Sequence, residues 1–151
     1  MQEPSSLHQP SAAEIDAIRL EGTSCNGPCP VFTVEMRRDG SADFLGSFHT
    51  PRIGRFRGTV AANAFHALAV LIVDTGFFGL LDGYSRNISC ASSTTTSVRT
   101  NGRVKSIYHY AYAGPYSLWQ LEESIVMASD RIAWAEFSEP RKFRAWPNLE
   151  L

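Results

Sequence analysis

The chain has 151 residues, with 14 basic and 15 acidic side chains and a net charge of -1. That length fits one domain, able to bury a core without help from metal or disulfide. The charge balance argues against a nucleic-acid surface, which needs a basic surplus or stripe. The longest apolar run, about Ala67–Val73, is far short of the ~18 residues of a membrane-spanning helix.

Residues 1–12 are polar and Pro/Ser-rich and read as a flexible arm. Met1-Gln2-Glu3-Pro4 has no basic or apolar leader pattern. Read literally the chain is cytoplasmic; if it is a mature form, it is periplasmic or otherwise exported. A single domain is expected over 13–135, with a C-terminal extension over 136–151.

Ile15–Leu20, followed by a turn signal at Glu21-Gly22-Thr23-Ser24, predicts a first strand. Val31–Arg38 alternates, with Phe32, Val34 and Met36 on one face. Asp39-Gly40 turns the chain into a return strand carrying Ala42 and Phe44. A three-residue loop keeps one face apolar by pairing Met36 with Ala42 and Val34 with Phe44. A short strand over Arg55–Val60 leads to a helix from about Ala61 to Asp74. Phe65, Leu68, Ala69 and Ile72 share one face of that helix, and Gly76 ends it.

Phe77, Phe78, Leu80 and Leu81 read as an apolar plug, and Asp82–Ser93 as loop. Thr94–Thr100 and Arg103–Tyr110 form a second hairpin around Asn101-Gly102. A three-residue register is expected there, with Val98 opposite Val104 and the Ser/Thr-rich strand at a sheet edge. Gly114-Pro115 opens a last helix whose stripe Leu118, Leu121, Ile125, Ala128 and Ile132 runs to about Trp134. The predicted class is α+β: an antiparallel sheet of two hairpins plus short strands, with two helices on one face.

Cys25-Asn26-Gly27-Pro28-Cys29-Pro30 is the most chemically loaded stretch. Three readings compete for Cys25 and Cys29: a local disulfide or structural thiols pinning a turn, a redox-active pair, and a metal site. The four-residue spacing is not the Cys-x-x-Cys of redox enzymes, and no basic residue lies within the motif to activate a thiol. A metal site needs Cys25, Cys29, Cys90 and a His such as His49 or His109 to converge. Cys90 makes the cysteine count odd. There is no nucleophile elbow, phosphate loop or paired-carboxylate signature, so no catalytic residue and no cofactor is assigned. His66 is placed on the polar side of its helix, and His8 in the arm. The tail Arg141-Lys142-Phe143-Arg144-Ala145-Trp146 reads as a solvated or folded-back extension, with binding to an acidic partner, a membrane surface or nucleic acid as the alternatives.

The ordered set Cys25-x-Gly27-x-Cys29-Pro30-x-Phe32, Asp39-Gly40, Gly76-Phe77-Phe78, Asp82, Tyr84, Asn87-Ile88-Ser89, Asn101-Gly102, Lys105, Pro115, Leu118 and Trp134 resembles the bacterial DUF6438 domain, over roughly residues 14–134. The resemblance implies a small single domain often found with export or lipoprotein signals, and no known activity. Cys90 stands where the family tends to have Asp, and Ser92 where Pro is expected. The preferred expectation is a non-catalytic binding or interaction domain of the bacterial envelope, with a protein as the expected partner. Alternatives are a thiol redox or metal protein centred on Cys25 and Cys29, and an inhibitor of a partner enzyme. A pocket with convergent buried polar groups and shifted pKa values is the observation that counts against the non-catalytic expectation.

Overall fold

The computed structural model describes residues 9–25, 27–89, 91–111 and 113–137. In chain order the elements are β1 (Ile15–Gly22), β2 (Val31–Arg37), β3 (Ser41–Phe48), β4 (Gly54–Thr59), α1 (Ala62–Asp74), β5 (Gly83–Tyr84), β6 (Ser93–Thr100), β7 (Arg103–Tyr110), α2 (Tyr116–Asp130) and β8 (Ala135–Glu136). These strands form one eight-stranded sheet in the order β5-β7-β6-β1-β2-β3-β4-β8. The class is α+β. The sheet is mixed rather than wholly antiparallel, because β5 runs parallel to β7. The two residues of β5 lie inside the segment expected to be loop, and are too few to show a period.

One face of the sheet carries the core. Ile18, Met36 and Val98 are cross-strand neighbours. They pack with Phe65, Leu68, Ala69 and Ile72 of α1 and with Leu118, Leu121 and Ile125 of α2. The α1 set is the 3.6-period stripe of its sequence, and each large side chain so buried contributes roughly 1.5–3 kcal/mol. Gly76 takes the left-handed conformation just past α1. Phe77 is buried and Phe78 and Leu80 pack against the core. Leu81, expected in the same plug, is 66% exposed.

In the β2–β3 hairpin Val34 lies opposite Phe44 and Met36 opposite Ala42. The β6–β7 hairpin corrects the expected register. Val98 faces Lys105, not Val104, and Thr94 faces His109. Asn101 and Gly102 both have positive φ, 49° and 82°. That is the two-residue mirror-image turn whose twist suits a hairpin. The one-residue difference decides which face each side chain of β7 occupies. Ile107 and His109 thereby turn toward the helices. Lys105, whose ammonium bonds Asp82 at 2.8 Å, replaces the expected Val104 beside Val98.

Nor is β6 an edge strand: it lies between β7 and β1, and Thr96, Ser97 and Val98 are buried. β-branched Thr suits such a central position as well as an edge. The helix α2 ends at Asp130, earlier than its apolar stripe suggested. Ile132 is nevertheless buried, and Trp134 packs against the core from beyond the helix.

The opposite face carries a row of polar cross-strand neighbours, Ser97, Arg19, Glu35, Asp43 and Arg57. Arg19 meets Glu35 at 2.6 Å, and Arg37 bonds both Glu35 at 2.8 Å and Asp43 at 2.6 Å. A cation is thus held between two carboxylates that would otherwise repel across the strands. At the ends of the described domain, Ala12 packs against the core and Glu136 lies in the sheet. His8 and the basic tail at 141–146 lie outside the described residues.

Candidate functional site

Cys25 and Cys29 are joined by a disulfide, with their Cα atoms 5.6 Å apart. The bridge closes the turn between β1 and β2, where Cys25 also pairs with Gly27. A Cβ on Gly22 would stand 2.9 Å from the Phe32 ring and 3.1 Å from the Pro30 carbonyl. Glycine there lets the turn fold tightly onto the end of β1. Cys90 lies outside the described residues. His109 is committed elsewhere, as described below. Among the described residues no group of three His, Cys, Asp or Glu side chains is arranged to hold a metal ion.

So short a loop removes little chain entropy from the unfolded state. Reduction, or the double change Cys25→Ser and Cys29→Ser, should therefore lower stability by only about 2 kcal/mol. Urea melts with and without reductant measure this. A loss of the whole fold would contradict it.

The disulfide turn is one wall of a cavity of about 320 Å³. Cys29 and Pro30 line it beside Gly22 and Thr23 at the end of β1. The floor is the helix-covered sheet face, through Leu20, Phe32 and Phe44. α2 forms the roof, presenting Trp119, Glu122, Glu123, Val126, Ser129 and Asp130. His49, Thr50, Pro51 and Arg52, in the β3–β4 loop, form the far wall.

That loop lies against the sheet because position 46 has no side chain. A Cβ on Gly46 would sit 1.8 Å from the carbonyl oxygen of Arg52. Within the loop His49 adopts φ 56°, a left-handed conformation costly for a side-chain-bearing residue. The Arg52 guanidinium lies 4.5 Å over the Phe44 ring, and one of its terminal nitrogens reaches Asp130 at 3.3 Å. Its Nε is buried with no hydrogen-bond partner, as is the Ser129 hydroxyl. Buried polar groups are normally paired, so two orphans along one cavity are a notable departure.

At the other end stands Glu122, with only 6% of its surface exposed. Its carboxylate meets Nδ1 of His109 at 2.6 Å, and the Gly114 amide donates to Nε2 of the same ring at 3.1 Å. Accepting that bond leaves the neutral ring's hydrogen on Nδ1, directed at Glu122. Burial pushes the Glu122 carboxyl above the usual carboxylate range, against the lowering effect of the His109 hydrogen bond. Between the two ends the Thr23 and Ser93 hydroxyls bond each other at 2.7 Å, tying β1 to β6.

Of the candidates named in the sequence, Cys29 and His49 line the cavity, and His109 stands behind it, bonded to the lining residue Glu122. Arg52, Glu122 and Ser129 carry no motif. The one trace of Glu122 in the sequence is a carboxylate one position after Leu121 in an apolar stripe, and Arg52 and Ser129 leave none.

The family model of DUF6438, a domain of unknown function, matches residues 16–128. The chain belongs to the DUF6438 family. No curated protein matches it. The cavity of this DUF6438 domain is built almost wholly from residues inside the matched region; Ser129 and Asp130, at the end of α2, lie just beyond it. Among the described residues no helix is long and apolar enough to cross a membrane.

Proposed function

We propose that this DUF6438 domain is a non-catalytic small-ligand-binding module of an oxidising, extracytoplasmic compartment, with its site in the cavity beneath α2. One observation carries the proposal: a cavity of about 320 Å³ with an apolar floor and a few polar groups converging on it. Ligand sites are typically pre-formed concavities of this kind. The Cys25–Cys29 bridge supports an oxidising setting, because such bonds persist mainly outside the cytosol.

A buried carboxyl with raised proton affinity is also what an active site offers. Binding is favoured over catalysis by the way His109 is held. Both ring nitrogens are occupied, one by Glu122 and one by the Gly114 amide, so neither is left to take a proton from a nucleophile. The Ser93 hydroxyl, on the cavity wall, is bonded to another hydroxyl rather than to a base.

The test is a thermal-shift screen of the full chain against a collection of small metabolites, repeated on Val126→Trp, which fills the cavity from its roof. Ligands of the site raise the melting temperature of the wild type and not of the variant, and are recovered chemically unchanged. Hits that persist in Val126→Trp, or that are turned over, would sink the proposal.

A further inference from the structure

We infer that the cavity takes a short zwitterion with an apolar middle, of the size of a dipeptide, its ammonium at Glu122 and Glu123 and its carboxylate at Arg52 and Ser129. This rests on the cavity being the binding site, as proposed above, and deepens it by naming the ligand class.

The two polar ends are set apart by the helix itself. Glu122 and Ser129 are seven residues apart on α2, or about 10 Å at 1.5 Å per residue. Arg52 belongs to the Ser129 end, because it bonds the next residue, Asp130. An extended dipeptide spans about 7 Å. A hydrogen bond of about 2.9 Å at either end brings its reach to about 13 Å, roughly 2–3 Å more than the rise between the two helix positions, which a tilt of roughly 35° absorbs. The span between is apolar, with Leu20, Phe32 and Phe44 below and Val126 above.

Each end lacks what such a ligand supplies. The Arg52 Nε–H and the Ser129 hydroxyl are buried without partners, and a carboxylate accepts from both. Asp130 does not fill this role: it is more than half exposed and reaches a different guanidinium nitrogen. At the other end a buried carboxylate is costly unless a cation faces it. His109 is a neutral donor when its Nε2 accepts from Gly114, so Glu122 has a hydrogen bond there without a full counter-charge. Glu123 adds a second carboxylate at the same end. A simple anion is repelled there, and a simple cation leaves Arg52 unsatisfied. A molecule bearing both charges satisfies both ends.

The experiment titrates the full-length chain with leucyl-leucine, its N-acetyl form, its C-terminal amide, and the doubly blocked compound, followed by calorimetry and by amide chemical shifts at Thr23, Thr94 and Val126. The free dipeptide should bind, and blocking either end should weaken binding about tenfold or more. Glu122→Gln should erase the difference between free and N-acetylated forms, and Arg52→Gln the difference between free and amidated forms. Equal binding of the free and doubly blocked compounds, with shifts at the cavity, would overturn the zwitterion while leaving a binding cavity intact. If none of the four binds, the zwitterion inference also falls; ligands from the metabolite screen that are lost in Val126→Trp then show that the cavity reading alone survives.

Discussion

Replacing His109 by Leu is expected to destabilise the domain by about 3 kcal/mol at neutral pH. The change leaves the Glu122 carboxylate buried without its donor, and the Gly114 amide without its acceptor. Removing one member of a buried polar pair costs more than the pair contributes, because the survivor's desolvation is no longer offset. The double variant His109→Leu, Glu122→Leu should recover most of the loss, the shortfall being the orphaned Gly114 amide. The pair also sets a pH dependence of known sign. Glu122 holds its proton more tightly in the folded protein than its ordinary value of 4.5. Its contribution to stability is therefore fully present below that value and is lost as pH rises through the raised, folded-state value. Urea denaturation from about pH 4 to 8 should show the wild type losing stability relative to Glu122→Gln as pH rises. His109→Leu should move the window upward, since it removes the hydrogen bond that lowers the Glu122 value. An unchanged pH slope in Glu122→Gln would contradict this assignment.

Gly46→Ala should be at least as damaging, at about 3 kcal/mol, or a fall in Tm of about 6–12 °C for a domain of this size. Its Cβ would lie 1.8 Å from the Arg52 carbonyl oxygen and 2.8 Å from Cγ2 of Thr50. A flexible side chain could swing aside, but backbone must move, and Arg52 moves with it. The same variant should therefore lose ligand binding beyond its loss of stability. Gly54, opposite Gly46 on β4, is the control. It has φ 112°, but a Cβ there would meet nothing within 4 Å, so Gly54→Ala meets only backbone strain, on the order of 1 kcal/mol. Melting curves of the two variants separate steric from conformational cost. A Gly46→Ala protein as stable as Gly54→Ala would show that the loop does not rest on position 46.

Much of the scaffold is legible in the residue order. Phe65, Leu68, Ala69 and Ile72 announce α1 because a helical period gathers them on one face, and burial follows. Alternation does the same for Val34 and Met36 in β2. The polar row on the opposite face is less legible. Arg19 and Glu35 look like solvated charges, and only strand pairing buries them together.

The candidate site was the least visible part. The cysteine motif marks one wall, where Cys29 lies. The groups that define the two ends of the cavity come from α2, β7 and the β3–β4 loop, far apart in the chain. Asn101-Gly102 marked a hairpin, but the choice between a two- and a three-residue connection rested on a small difference in apolar pairing. That choice decides whether His109 turns toward Glu122 or away from it, since adjacent residues of a strand point to opposite faces.

The sequence by itself determined the α+β class, the DUF6438 resemblance, the core stripe of α1 and the position of the cysteine turn. Local periodicity and turn chemistry act over a few residues and can be read from them. The tertiary structure alone decided the register of β7, the place of Thr-rich β6 inside the sheet, and the meeting of Arg52, Ser129 and Glu122 around one cavity. These depend on which distant strands pair and on how closely a loop can approach a glycine. Such close approaches are set by the whole packed fold, and no window of sequence contains them.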